Sequence, residues 1–146
     1  MQKGAQGDGV HKKGECNNNI EIKFIAQGTK DKPITIKAET SGEVFIEGIS
    51  NLKFGGDYLI VDGVHFRNGY SPIANVIAFR TSEKDVANNF SVSNCVILDF
   101  NNLERDKDTL WVQFYGTHNI LEHCYLAGKT NGGPTVRVDL KGNQSI

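Results

Sequence analysis

Six side chains in the last third of the sequence have types that could hold a ligand: Trp111, Gln113, Tyr115, His118, Lys129 and Arg137. Aromatic faces stack on sugar rings, and lysine and arginine pair with carboxylates. Set along one sheet, such a group would line a sugar-binding groove, with Tyr115, Lys129 and Arg137 foremost. The competing reading puts Trp111 and Tyr115 into packing and leaves Lys129 and Arg137 in solvent.

Other reactive residues give weaker patterns. His123 beside Cys124 suggests a nucleophile pair, but neighbours on a strand point to opposite faces, so a structural corner is expected instead. His65 and His118 have no carboxylate at ligand spacing. In Glu104-Arg105-Asp106-Lys107-Asp108 the interspersed cations spoil an oxygen cage for calcium, which leaves a solvated loop. Three cysteines (Cys16, Cys95, Cys124) are too few and too unevenly spaced for a disulfide framework or a zinc site. Buried free thiols are expected, with a Cys95–Cys124 bridge as the alternative. No catalytic residue, no metal ligand and no glycine-rich phosphate loop is assigned.

The elements that must position these residues repeat. Leu59-Ile60-Val61-Asp62-Gly63-Val64-His65-Phe66, Ser91-Val92-Ser93-Asn94-Cys95-Val96-Ile97-Leu98 and Ile120-Leu121-Glu122-His123-Cys124-Tyr125-Leu126-Ala127 align at Gly63, Cys95 and Cys124, with offsets of 32 and 29 residues. Each is a strand, a polar corner and a second strand, with no helical pattern between copies. That periodicity points to a solenoid. The fold class read from it is all-β, a right-handed single-stranded parallel β-helix whose like residues stack about 4.8 Å apart along the axis. Ile60, Val92 and Leu121 should form one interior column, Cys95 and Cys124 another.

Along the chain, residues 1–19 are polar and aperiodic and are expected to be poorly ordered, and coils fill 20–146. Ile20-Glu21-Ile22-Lys23-Phe24 and Ile34-Thr35-Ile36-Lys37-Ala38 alternate as half-buried strands. Val44–Gly48 and Leu52–Phe54 follow as short separate strands, and loops leave the coil at 67–75, 81–89, 101–109 and 128–134. Thr135 to Leu140 alternates as a last strand. The 16 basic and 17 acidic residues balance, so no global field attracts nucleic acid or an anionic membrane. A run of about 18 apolar residues is missing, so no helix should span a bilayer. The first residues lack the apolar stretch of a signal peptide.

Three segments then resemble the opening coils of the alginate lyase and chondroitinase B family of polysaccharide lyases, polysaccharide lyase family 6. They are Lys32-Pro33-Ile34-Thr35-Ile36-Lys37-Ala38, Gly42-Glu43-Val44-Phe45-Ile46-Glu47-Gly48 and Tyr58-Leu59-Ile60-Val61-Asp62-Gly63-Val64-His65-Phe66-Arg67-Asn68-Gly69. Asn94-Cys95-Val96-Ile97, Trp111-Val112-Gln113-Phe114-Tyr115-Gly116-Thr117-His118-Asn119 and His123-Cys124-Tyr125-Leu126-Ala127-Gly128-Lys129-Thr130-Asn131 continue the likeness in order. The resemblance implies β-elimination on a uronic-acid polysaccharide. In the family a lysine removes the C5 proton, an arginine assists, and calcium held by asparagine and glutamate neutralises the carboxylate in many members. It also places those groups in coils beyond the strand matching Thr135 to Leu140, so calcium is implied for the full-length family and not assigned to residues here.

The function expected is therefore that of the N-terminal coils of an anionic-polysaccharide lyase, with alginate preferred to dermatan or chondroitin chains, inactive or nearly so alone. The resemblance further implies a secreted or periplasmic setting. An open last coil would favour self-association. The rival reading is a non-catalytic carbohydrate-binding or adhesin-like solenoid.

Overall fold

The computed structural model describes residues 9–11, 14–16 and 20–139, and every element among them is a strand. The chain winds in rungs. The first carries β1 (Gly9–His11), β2 (Gly14–Cys16) and β3 (Ile20–Gln27), and the second β4 (Ile34–Ala38) and β5 (Val44–Asp57). The third carries β6 (Leu59–Asp62), β7 (Val64–Tyr70), β8 (Asn75–Ala78) and the short β9 (Ala87–Asn88). β10 (Ser91–Ser93), β11 (Val96–Leu98) and β12 (Leu110–Phe114) form the fourth, β13 (Ile120–Glu122), β14 (Tyr125–Ala127) and β15 (Val136–Val138) the fifth.

Every pairing between these strands is parallel, and they stack into three faces. Sheet A runs β1-β4-β6-β10-β13. Sheet B stacks β2, the first half of β5, β7, β11 and β14. Sheet C stacks β3, the second half of β5, β8, β12 and β15. The expected parallel β-helix is what forms.

Strict alternation builds the interior. Ile22, Phe24 and Ala26 are buried while Glu21, Lys23 and Gln27 face out, and β4 repeats the pattern with Ile34, Ile36 and Ala38. Because each inward residue meets its counterpart one rung away, like lies on like. Phe24 and Phe54 stack at 6.3 Å between centroids, Phe54 meets Phe79 at 5.5 Å, and Phe79 meets Phe114 at 4.5 Å. Each fully buried ring contributes about 1.5–3 kcal/mol.

The register corrects several expectations. Val92 pairs with Val61 and Leu121, while Ile60 pairs with the outward Ser91. The interior column is thus Val61, Val92 and Leu121, and Ile60 points away from it. Phe66 likewise stacks on Ile97 and Leu126, not on Leu98. A one-residue slip reverses every side chain of a strand, and the slip came from aligning Gly63 with Cys95. The property the corners share is a left-handed backbone, and Gly63 (φ 84°), Asn94 (φ 51°) and His123 (φ 51°) supply it. Cys95 and Cys124 do stack, each directly after its corner, and both are free thiols.

Three further differences are local. The expected break between Val44–Gly48 and Leu52–Phe54 is instead one continuous strand, β5. It bends from sheet B into sheet C through a register shift between Ile46 and Gly48, with Gly48 at φ 70°. β7 carries on to Tyr70, so the next loop starts later than expected. The span read as an aperiodic end contains β1 and β2, which pair with β4 and β5. The remaining residues of 1–19, and Leu140, lie outside the described residues.

Candidate functional site

The outer face of sheet C carries most of the residues with binding chemistry. Its register aligns Lys23, Lys53, Ala78, Gln113 and Arg137 in one outward column. Two positions further along, the same register puts Arg80 beside Tyr115 and Tyr115 beside Asp139. Ala78, which has no side chain beyond Cβ, leaves a notch between Lys53 and Gln113. A cavity of about 230 Å³ lies there, lined by Lys53, Asn75, Ala78, Arg80 and Thr81. A second cavity of about 310 Å³ borders it and is lined by Asn75, Arg80, Gln113, Tyr115, Asp108 and Arg137. The two share Asn75 and Arg80, so they form one groove.

Hydrogen bonds organise its floor. Asn75 donates its side-chain N–H to Gln113 Oε1, and Gln113 donates in turn to Asp139 Oδ2. Arg137 Nε donates to the same carboxylate oxygen at 2.9 Å. The Arg137 guanidinium also meets the Tyr115 side chain; its hydrogen bond to Asp139 holds its pKa above the ordinary value. The Arg80 guanidinium lies 4.0 Å from the Tyr115 ring centroid, a cation–π contact. At the far end of the face, Glu21 bridges Lys23 at 2.8 Å and Lys53 at 2.9 Å. These two bonded lysines draw the Glu21 carboxyl down to about 2.

The residues singled out from the sequence divide. Tyr115 and Arg137 line the groove, and Gln113 sits between them. Trp111 does not: it is fully buried, and its indole N–H donates to the Phe100 carbonyl at 3.0 Å. Lys129 Nζ donates to the carbonyls of Asn131, Gly132 and Gly133 at 2.7, 2.8 and 2.8 Å and so ties down its own loop. Burial lowers the pKa of that ammonium, with Asp108 opposing. His118 is exposed in the turn after β12, with φ 56°, and lines neither cavity. His123 is exposed and faces Glu122 while Cys124 packs on the core, so the two diverge. The sequence reading missed Arg80, Lys53 and Asn75. The stacking of Phe79 on Phe114 was the available signal, because it forces Arg80 beside Tyr115.

A calcium ion takes six to eight oxygen ligands, and among the described residues no three His, Cys, Asp or Glu side chains come together as a metal site would need. Three of the carboxylates are engaged elsewhere: Asp139 by Arg137 and Gln113, Glu21 by two lysines, and Glu104 by Lys107 at 3.1 Å.

The family model for chondroitinase B matches residues 1–146. The chain belongs to the chondroitinase B family. Among solved structures it is similar to a polysaccharide lyase family 6 alginate lyase, AlyGC, with 40% identity and a TM-score of 0.87 over 90% of this chain and 18% of that one. A mannuronic acid specific family 6 lyase from human gut microbiota is 31% identical, with a TM-score of 0.83, over 90% of this chain and 30% of its own. The family 6 lyase Pedsa3628 from Pseudopedobacter saltans is 33% identical, also with a TM-score of 0.83, over 93% and 31%. No curated protein matches the chain. The chain spans less than a third of the length of these solved relatives, and the likeness lies in a family 6 polysaccharide lyase region.

Proposed function

We propose that this chain forms the first rungs of a poly-uronate lyase acting by β-elimination on alginate, and that the outer face of sheet C seats the anionic sugar chain. The observation that carries the reading is the shared groove, where Lys53, Arg80 and Arg137 stand around a floor of side-chain amides. Cations balance the carboxylate of each uronate, and Asn75 and Gln113 suit the sugar hydroxyls. The base that removes the C5 proton, and calcium where it is used, are assigned to rungs outside these residues. An exported or periplasmic setting follows from the substrate.

The test compares this chain with a version extended through the downstream reading frame, both incubated with alginate. Unsaturated products, read by their ultraviolet absorbance, should appear with the extended form, while the short form binds without cleaving. Tight binding with no cleavage by either form would replace the lyase reading with that of a carbohydrate-binding solenoid.

A further inference from the structure

We propose that Arg80, held over the Tyr115 ring, is the residue that grips a uronate carboxylate and makes the groove select charged over neutral chains. This inference rests on the reading of the groove as a poly-uronate site and assigns its recognition to one side chain.

The cations on and beside this face differ in what already holds them. Lys53 is engaged by Glu21 at 2.9 Å, and Arg137 by Asp139 at 2.9 Å. Lys129 spends all three of its hydrogens on backbone carbonyls. Arg80 differs. Among the described residues no carboxylate lies within ion-pairing distance of it, and its contact is with the face of Tyr115. A cation–π contact leaves the positive charge without a counter-ion, and a guanidinium has five N–H donors in a fork that a carboxylate can accept with two parallel bonds.

The platform is fixed in advance. Tyr115 is 3% exposed, so packing holds the ring in place beneath the guanidinium before any ligand arrives. Arg80 also stands where the two cavities join, and the missing side chain at Ala78 clears the approach. Glu83 lines one cavity and Asp108 the other. Each of those carboxylates disfavours a uronate carboxylate beside it, while Arg80 lines both cavities and favours one. Tyr115 is therefore a positioning residue that acts through Arg80.

Calorimetric titration with a mannuronate oligomer and with its methyl ester tests the assignment. R80A should weaken binding of the acid form on the order of 10- to 100-fold, as expected for a lost charge-assisted pair, and leave the weaker binding of the ester unchanged. R80K keeps a positive charge without the fork and should recover only part of the loss. Y115L, which removes the platform, should weaken the acid form in the same direction. R105A removes an equal charge from the exposed 101–109 loop and should bind as the parent does. Thermal melts of each variant exclude unfolding as the cause, and R80K supplies the comparison if R80A melts early. Equal losses in R80A and R105A would show a diffuse charge effect and overturn the assignment. Parent binding with R80A unchanged would overturn it while sparing the poly-uronate reading. A parent chain that takes neither oligomer would remove both.

Discussion

Replacing Phe54 with alanine should cost about 4 kcal/mol. The ring is fully buried at the centre of the aromatic ladder, 6.3 Å from Phe24, 5.5 Å from Phe79 and 5.8 Å from Phe90. Deleting it removes roughly 150 Å² of apolar contact at about 25 cal/mol per Å². The backbone on both sides is pinned by parallel ladders and cannot collapse into the space, so the cavity term stays near its full value. For a domain of this size the loss corresponds to about 15 °C in Tm. Urea and thermal unfolding followed by circular dichroism measure the change. Hydrogen exchange locates it, because a rung contacts only its neighbours and protection should fall in β3, β5 and β8 before β13 to β15. Phe54→Leu should cost less, since the aliphatic chain refills part of the volume. A loss no larger than that of Tyr125→Ala, where the ring is 62% exposed, would refute the view that the stacked aromatics hold the rungs together.

The Glu47 carboxylate, buried on the outside of sheet B, accepts from Arg67 Nε at 2.6 Å and Asn68 Nδ2 at 2.9 Å, and these bonds hold its pKa below the ordinary 4.5. A depressed folded pKa stabilises fully above that value, and the contribution is lost as pH falls through the folded one; Glu47→Gln should lower stability at neutral pH by about 1–3 kcal/mol and flatten the acid limb of a stability–pH curve below about pH 4.5. Asn131 accepts from the Asn102 N–H at 2.7 Å and donates to the carbonyls of Glu104 at 2.9 Å and Asn102 at 3.2 Å, latching the 101–109 loop. Asn131→Ala should cost about 2 kcal/mol and admit limited proteolysis between 103 and 108; a loop that stays resistant would deny Asn131 that role.

The strand pattern was legible wherever one face is dry and the other wet. β3 and β4 alternate so cleanly that their inward residues follow from sequence alone. Register was harder. Gly63 and Cys95 look equivalent because both are small, yet what the corner demands is positive φ, which Gly63, Asn94 and His123 meet with three unlike side chains. β5 hid its continuity because a glycine inside a strand reads as an ending, when here Gly48 bends the strand without breaking it. In the groove, Tyr115 and Arg137 were visible as types, but type does not report partners. Lys129 is consumed by carbonyls that Gly132 and Gly133 leave uncovered, and Trp111 is drawn inward by the Phe100 carbonyl. Arg80 was passed over because it follows a run of small and apolar residues, and only the neighbouring rung gives it a role.

The corner between sheets A and B has a consequence for how such a molecule can diversify. From β6 onward only one or two residues separate the two faces there, and the first takes a left-handed turn that admits no extra length. Insertions can be accommodated along the other two edges: the 71–74, 99–109 and 128–135 segments between sheets B and C vary in size, and so do 28–33, 58 and 115–119 between sheets C and A. One edge of the prism is thereby kept bare, and walls that reshape what the groove accepts must rise from the edges flanking sheet C.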